Sequence, residues 1–200
     1  MIVPNLNADL RMTVEEFLAF TDSRPDEERW ELIEGVPVLN ASPTNYHQMI
    51  CDNVVRYLMN HAEAHDCAWV ALSGTGMRVP ASPHSLPWPD IQVLPEIPIG
   101  DATPVAEDAV FIFDVLSKSD RAGTIAWKRR AYASIASCRH VVTIAQATCL
   151  VVRYDRDDDW AGHRITAIGD DLELPALALA IPLQRIYRGI PLKPPSRRSR

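Results

Sequence analysis

The chain has 200 residues, 47% of them hydrophobic, enough for one domain with a sizeable core. A formal net charge of −6 argues against a generic nucleic-acid coat, because phosphate binding is dominated by basic charge. It does not exclude an enzyme whose acidic site stays negative until a cation arrives, whereas the lack of any apolar stretch of roughly 18 residues argues against a membrane span.

In chain order, Thr13-Val14-Glu15-Glu16 reads as a capping box opening a short helix through Phe20, with Phe17 and Leu18 turned inward. Polar residues 21–29 predict a loop. Trp30-Glu31-Leu32-Ile33, Glu34-Gly35 and Val36-Pro37-Val38-Leu39 predict a tight hairpin. Ser42-Pro43-Thr44 starts a longer helix to about residue 66, where Tyr46, Met49, Ile50, Val54, Tyr57, Leu58 and His61 recur at three and four. Strands are expected at 68–72 and 77–79, joined by Ser73-Gly74-Thr75-Gly76. A proline-rich loop then leads into a strand carrying Asp90, and a loop over 95–108 into one carrying Asp114. Ser119-Asp120 can cap a helix through about residue 136 that includes Ile125, Lys128 and Tyr132. Strands at 139–146, 149–155 and 162–168 follow, then a short helix near 182–187. This order predicts a single α/β domain over residues 1–190, a mixed sheet flanked by helices. Residues 191–200 read as a basic, disordered tail.

Two carboxylates stand out. Asp90 heads the apolar run Ile91-Gln92-Val93-Leu94, and Asp114 interrupts Val110-Phe111-Ile112-Phe113-Asp114-Val115-Leu116. A carboxylate among strand hydrophobics is costly unless paired, hydrogen-bonded or metal-bound. Two of them followed by a helix bearing Lys128 form a pattern that hydrolyses phosphodiesters with magnesium, a hard cation that needs only one or two carboxylates plus substrate oxygens. Each residue also has a plainer reading. Glu31 can be an exposed hairpin acid, Asp90 a strand-entry cap, and Lys128 part of a solvated basic face with Arg129 and Arg130. His47, in the first turn of the long helix, suits a phosphate contact, a site-ordering role or a structural hydrogen bond. His61, His65 and Cys67 lack a fourth ligand at matching spacing for zinc.

The four cysteines, Cys51, Cys67, Cys138 and Cys149, form no Cys-x-x-Cys, and the start Met1-Ile2-Val3-Pro4-Asn5 has no leader pattern. A cytoplasmic protein with reduced, buried thiols is expected.

Taken together, Met12-Thr13-Val14-Glu15-Glu16-Phe17, Trp30-Glu31-Leu32-Ile33-Glu34-Gly35, Ser42-Pro43 with His47, Pro89-Asp90-Ile91, Asp114-Val115-Leu116-Ser117 and Lys128-Arg129-Arg130-Ala131-Tyr132 resemble the Uma family of restriction endonucleases. The resemblance runs from about Met12 to Tyr187. It implies a restriction-endonuclease-like PD-(D/E)XK fold and a magnesium-dependent endonuclease acting on DNA, with manganese as substitute. By the resemblance Asp90 and Asp114 hold the metal, Glu31 is the auxiliary acid and Lys128 the catalytic lysine, moved from the strand to the following helix. His47, Lys118 and Arg121 are the candidate substrate contacts, and a homodimer suits a double-strand cut. The chain departs from the family pattern in three places. Asp114 stands for the usual Glu, Lys118 for a common proline, and Arg139-His140-Val141-Val142-Thr143-Ile144 for an acidic-aromatic strand. These departures leave a second expectation open, a catalytically impaired nucleic-acid-binding or regulatory protein on the same fold.

Overall fold

Helix α1 (Val14–Asp22) opens on the expected capping box. Glu16 N–H donates to Thr13 Oγ1 at 3.2 Å and Thr13 N–H to Glu16 Oε2 at 2.8 Å. The computed structural model describes residues 11–25, 27–95, 105–118 and 120–193. The hairpin forms as β1 (Arg29–Ile33) and β2 (Val36–Asn40). Glu34 and Gly35 both take positive φ, 49° and 81°, the turn whose twist matches two paired strands. Gly35 is also required sterically, since a Cβ there would lie 2.4 Å from that of Arg11.

Helix α2 (Asn45–Ala64) is capped by Thr44, whose hydroxyl accepts from His47 N–H at 3.2 Å. The remaining elements are β3 (Trp69–Leu72), β4 (Gly76–Met77), β5 (Ile91–Pro95), β6 (Val105–Ala106), β7 (Phe111–Leu116), α3 (Ala122–Ala133), β8 (His140–Ala145), β9 (Val151–Asp155), β10 (Gly162–Ile165), β11 (Asp171–Leu174), β12 (Leu179–Pro182) and α4 (Leu183–Ile186). The central sheet runs β10-β9-β8-β7-β5-β3. Only β7 and β8, joined through α3, pair in parallel; the other neighbours are antiparallel.

Strand alternation sorts the core into two layers. Phe111, Phe113 and Val115 of β7 pack with Ile50, Val54 and Leu58 of α2 on one face. Ile112 turns to the other face, with Ala131 and Tyr132 of α3 and with Ile135. Helices on both faces of a mixed sheet give the expected α/β architecture. Truncating a fully buried member such as Leu58 to alanine should cost about 2–5 kcal/mol.

Three local features differ from the sequence expectation, the first being β6, a two-residue strand paired with β4 inside the expected 95–108 loop. The β11–β12 hairpin was not anticipated. Its Leu172, Leu174, Leu179 and Ile181 close the α2-side core. Its turn is a single 3₁₀ turn over Pro175–Leu177 followed by Ala178 at φ 50°, so no glycine or asparagine marks it. Helix α3 starts at Ala122 without a side-chain cap. Asp120 instead closes the preceding turn, its Oδ2 accepting from Ser117 N–H at 2.6 Å and Ser117 Oγ–H at 2.8 Å. Ser119, residues 96–104 of the 95–108 loop, and residues 194–200 of the basic tail lie outside the described residues. Lys193 N–H donates to Ala147 C=O at 2.9 Å. Among the described residues no helix is long and apolar enough to cross a membrane.

Candidate active site

Alternation along β7 carries Asp114 to the α3 face, where only 8% of the residue is exposed. The β5–β7 register pairs Ile91 with Phe113, so Asp90, one residue before β5, falls opposite Asp114. Like charges across a ladder repel, so this arrangement needs compensation. Asp90 is fixed from two sides. Val115 N–H donates to its Oδ2 at 2.7 Å, and His47 Nε2 lies 3.2 Å from its Oδ1.

Glu31 arrives from the hairpin. Leu32 exchanges two backbone hydrogen bonds with Leu86 (3.2 and 2.8 Å), and both side chains are buried with Val14 and Phe17 of α1. That docking brings Glu31, 3% exposed, beneath Trp88, whose N–H donates to its carboxylate at 2.8 Å. Lys128 reaches the same oxygen from α3, with Nζ at 2.5 Å. One residue earlier, Trp127 Nε1–H donates to Glu34 at 3.1 Å, a second tie between α3 and the hairpin.

The electrostatics follow from burial and proximity. Burial pushes the Asp114 carboxyl up to about 7; Lys128 opposes this, while Asp90 and Glu31 reinforce it. Burial works against the Lys128 ammonium, but Asp114 and Glu31 outweigh it and hold it above its ordinary range. Lys128 is therefore a fixed cation rather than a proton acceptor. Burial likewise lowers His47, and Asp90 more than restores it, leaving it raised. Three carboxylates face one buried ammonium, so acids outnumber the fixed cation.

That excess is what a divalent cation would neutralise, and a second observation fits one. Tyr132 Oη, one helical turn beyond Lys128, is buried with no hydrogen-bond partner among the described residues. Its hydroxyl feels the charges of Asp114, Glu31 and Asp90, and burial keeps it protonated. A buried, unpartnered hydroxyl beside carboxylates is accounted for by a ligand or its water. The donors of Asp90 and Asp114 are all hard oxygens, which suit magnesium or manganese.

The structure thus brings Glu31, Asp90, Asp114 and Lys128 into one cluster and sets His47 at its edge. Lys118 and Arg121 stand exposed on the connection from β7 to α3. Two cavities, about 330 Å³ beside Arg78 and Glu107 and about 430 Å³ beside His140 and Asp155, include none of the four. Converging charge marks the site better than concavity does. Sequence reasoning gave no site role to Cys51, whose Sγ lies 3.7 Å from His47 Nδ1. The available signal was the i, i+4 spacing of the two residues on α2.

The family profile described as "Putative restriction endonuclease" (Uma2) matches residues 14–184. The chain belongs to the Uma2 family. Among solved structures it is similar to a protein titled "putative nuclease belonging to DUF820" from Anabaena variabilis ATCC 29413. That match has a TM-score of 0.72 at 14% sequence identity, covering 88% of this chain and 97% of the other. At that identity the likeness establishes the fold. No curated protein matches the sequence. In this Uma2 chain Lys128 sits on α3, and its contact with Glu31 ties that helix to the first hairpin.

Proposed function

We propose that this Uma2 protein is a divalent-metal-dependent endonuclease that hydrolyses DNA phosphodiester bonds. The observation that carries the proposal is the convergence of Glu31, Asp90 and Asp114 around the buried Lys128 ammonium. Asp90 and Asp114 would hold the cation, magnesium with manganese as substitute, which when bound would supply positive charge to a phosphoryl oxygen and to the attacking water. Lys128 orients that water and stabilises negative charge developing on the phosphoryl group. Glu31 keeps Lys128 charged and aimed. His47 and Val115 N–H fix the Asp90 carboxylate. Lys118 and Arg121, exposed beside the cluster in sequence, contact phosphate oxygens of the substrate. The reaction breaks one P–O bond as water adds, and cutting both strands calls for two copies of the chain.

The test is cleavage of supercoiled plasmid with magnesium or manganese by the wild type, Asp90→Ala and Lys128→Ala. Loss of cleavage in both variants, each still folded, is the expected result. Equal cleavage by all three would trace the activity to a contaminant. A wild type that binds DNA without cutting it would favour the non-catalytic reading.

A further inference from the structure

We propose that His47, Cys51 and Asp90 form a second metal site, sharing Asp90 with the all-oxygen set of Asp90 and Asp114, that takes a thiophilic divalent cation of the zinc class. His47 and Cys51 are one helical turn apart in the first half of α2, so both side chains leave the same face of one rigid element. Asp90 meets them from the start of β5. His47 Nε2 lies 3.2 Å from Asp90 Oδ1 and His47 Nδ1 lies 3.7 Å from Cys51 Sγ. One ligand atom from each residue lies within 4.8 Å of the others. A tetrahedral shell with metal–sulfur near 2.3 Å and metal–nitrogen or –oxygen near 2.0 Å spaces its ligands by about 3.3–3.5 Å; only one ring nitrogen of His47 can ligate, so a side-chain rotation has to draw ligand atoms now within 4.8 Å to that spacing.

The donor chemistry discriminates between ions. An imidazole, a thiolate and a carboxylate together suit zinc or cobalt, whereas magnesium avoids sulfur. The three are pre-positioned. Cys51 is 4% exposed and packed into the core, and Val115 N–H anchors Asp90. The set is also reachable. The side chains of His47 and Asp90 keep 14% and 25% of their surface in solvent, which leaves a fourth position open to water. A cysteine serving only as core filling has no use for an imidazole and a carboxylate as neighbours. Without a cation the thiol stays protonated, because burial and the Asp90 charge both push it up. Binding releases its proton to solvent.

Cobalt(II) is the probe, added to the metal-free full chain. One equivalent should produce the sulfur-to-cobalt charge-transfer band and tetrahedral visible bands, and zinc should remove them. Cys51→Ser should abolish the charge-transfer band. Asp114→Asn, which disables the nuclease centre, should keep it, so this test stands apart from the cleavage assay. A wild type without the band, or a Cys51→Ser variant that retains it through another cysteine, would overturn the site. If Cys51→Ser does not fold, His47→Gln decides. Loss of one ligand should weaken cobalt binding at least about tenfold, the lower end of what outer-shell changes alone produce. Unchanged affinity in His47→Gln would equally overturn the site.

Discussion

The paired central strands bury an acid–base cluster near each end, and the two are balanced differently. Phe111 of β7 pairs with His140 of β8, while Asp114 pairs with Thr143, three residues or about 10 Å further along. At the His140 end the buried carboxylate is Asp155, 7% exposed. His140 Nδ1 bonds it, Arg153 Nε lies at 2.9 Å and His163 Nε2 at 3.4 Å. Burial lowers His140, with Asp155 opposing, so the ring is neutral and the Arg153 charge matches that of Asp155. At the Asp114 end acids outnumber cations and a carboxyl is pushed up to about 7, whereas each end buries one side-chain polar atom without a partner among the described residues, Tyr132 Oη here and His140 Nε2 there. Balanced burial is what a structural cluster needs. Unbalanced burial is retained where a ligand completes it, and on that contrast we propose the Asp114 end as the site.

The largest expected effect comes from removing the cation that the site does have. Lys128→Met leaves Glu31 and Asp114 buried with one fewer partner, and urea unfolding should show a loss of about 3–5 kcal/mol. Cleavage should disappear with it. A variant as stable as the wild type would mean that the cluster is better solvated than its burial implies.

Asp114→Asn should move stability the other way. The carboxyl has an ordinary value of 3.8 and a folded value of about 7. Between these values the folded chain binds more protons than the unfolded chain, so stability falls as pH rises through that window. Asparagine does not ionise and escapes the loss. Thermal melts above pH 7 should therefore place Asp114→Asn above the wild type by an amount on the order of 1–4 kcal/mol, with the gap closing towards pH 4. Magnesium should narrow the gap by stabilising the wild type alone.

Asp155→Asn probes the balanced end. Its charge-assisted hydrogen bonds weaken, and a stability loss of about 1–3 kcal/mol is expected from chemical denaturation. Cleavage per folded molecule should be unchanged. The smallest effect belongs to Tyr132→Phe. Without metal, deleting an unpartnered buried hydroxyl should change stability by about 0–1 kcal/mol, in the stabilising direction. With metal, calorimetry should show weaker magnesium binding.

Local signals made much of this legible in the sequence. The Thr13 capping box, the Glu34-Gly35 turn and the spacing that turns Lys128 and Tyr132 inward are each written within a few residues. Asp114 was legible because an acid among strand hydrophobics demands an explanation. Long-range closure was not legible. Glu31 and Lys128 are 97 positions apart, and Glu31 reads as a surface residue until Leu32 docks on Leu86. Cys51 looks like any apolar helix position until β5 places Asp90 against it. The β11–β12 hairpin went unread because Ala178 makes its turn without glycine. Asp120 has the chemistry of a helix cap, but Ser117 captures it first.

The most direct measurement is magnesium-dependent plasmid cleavage, normalised to folded protein, for Asp114→Asn beside Asp155→Asn. The expected result is a crossed pair: Asp114→Asn is more stable than the wild type at neutral pH and inactive, while Asp155→Asn is less stable and fully active. Retained cleavage in Asp114→Asn, or equal loss in both variants, would contradict the assignment of the Asp114 end as the catalytic centre.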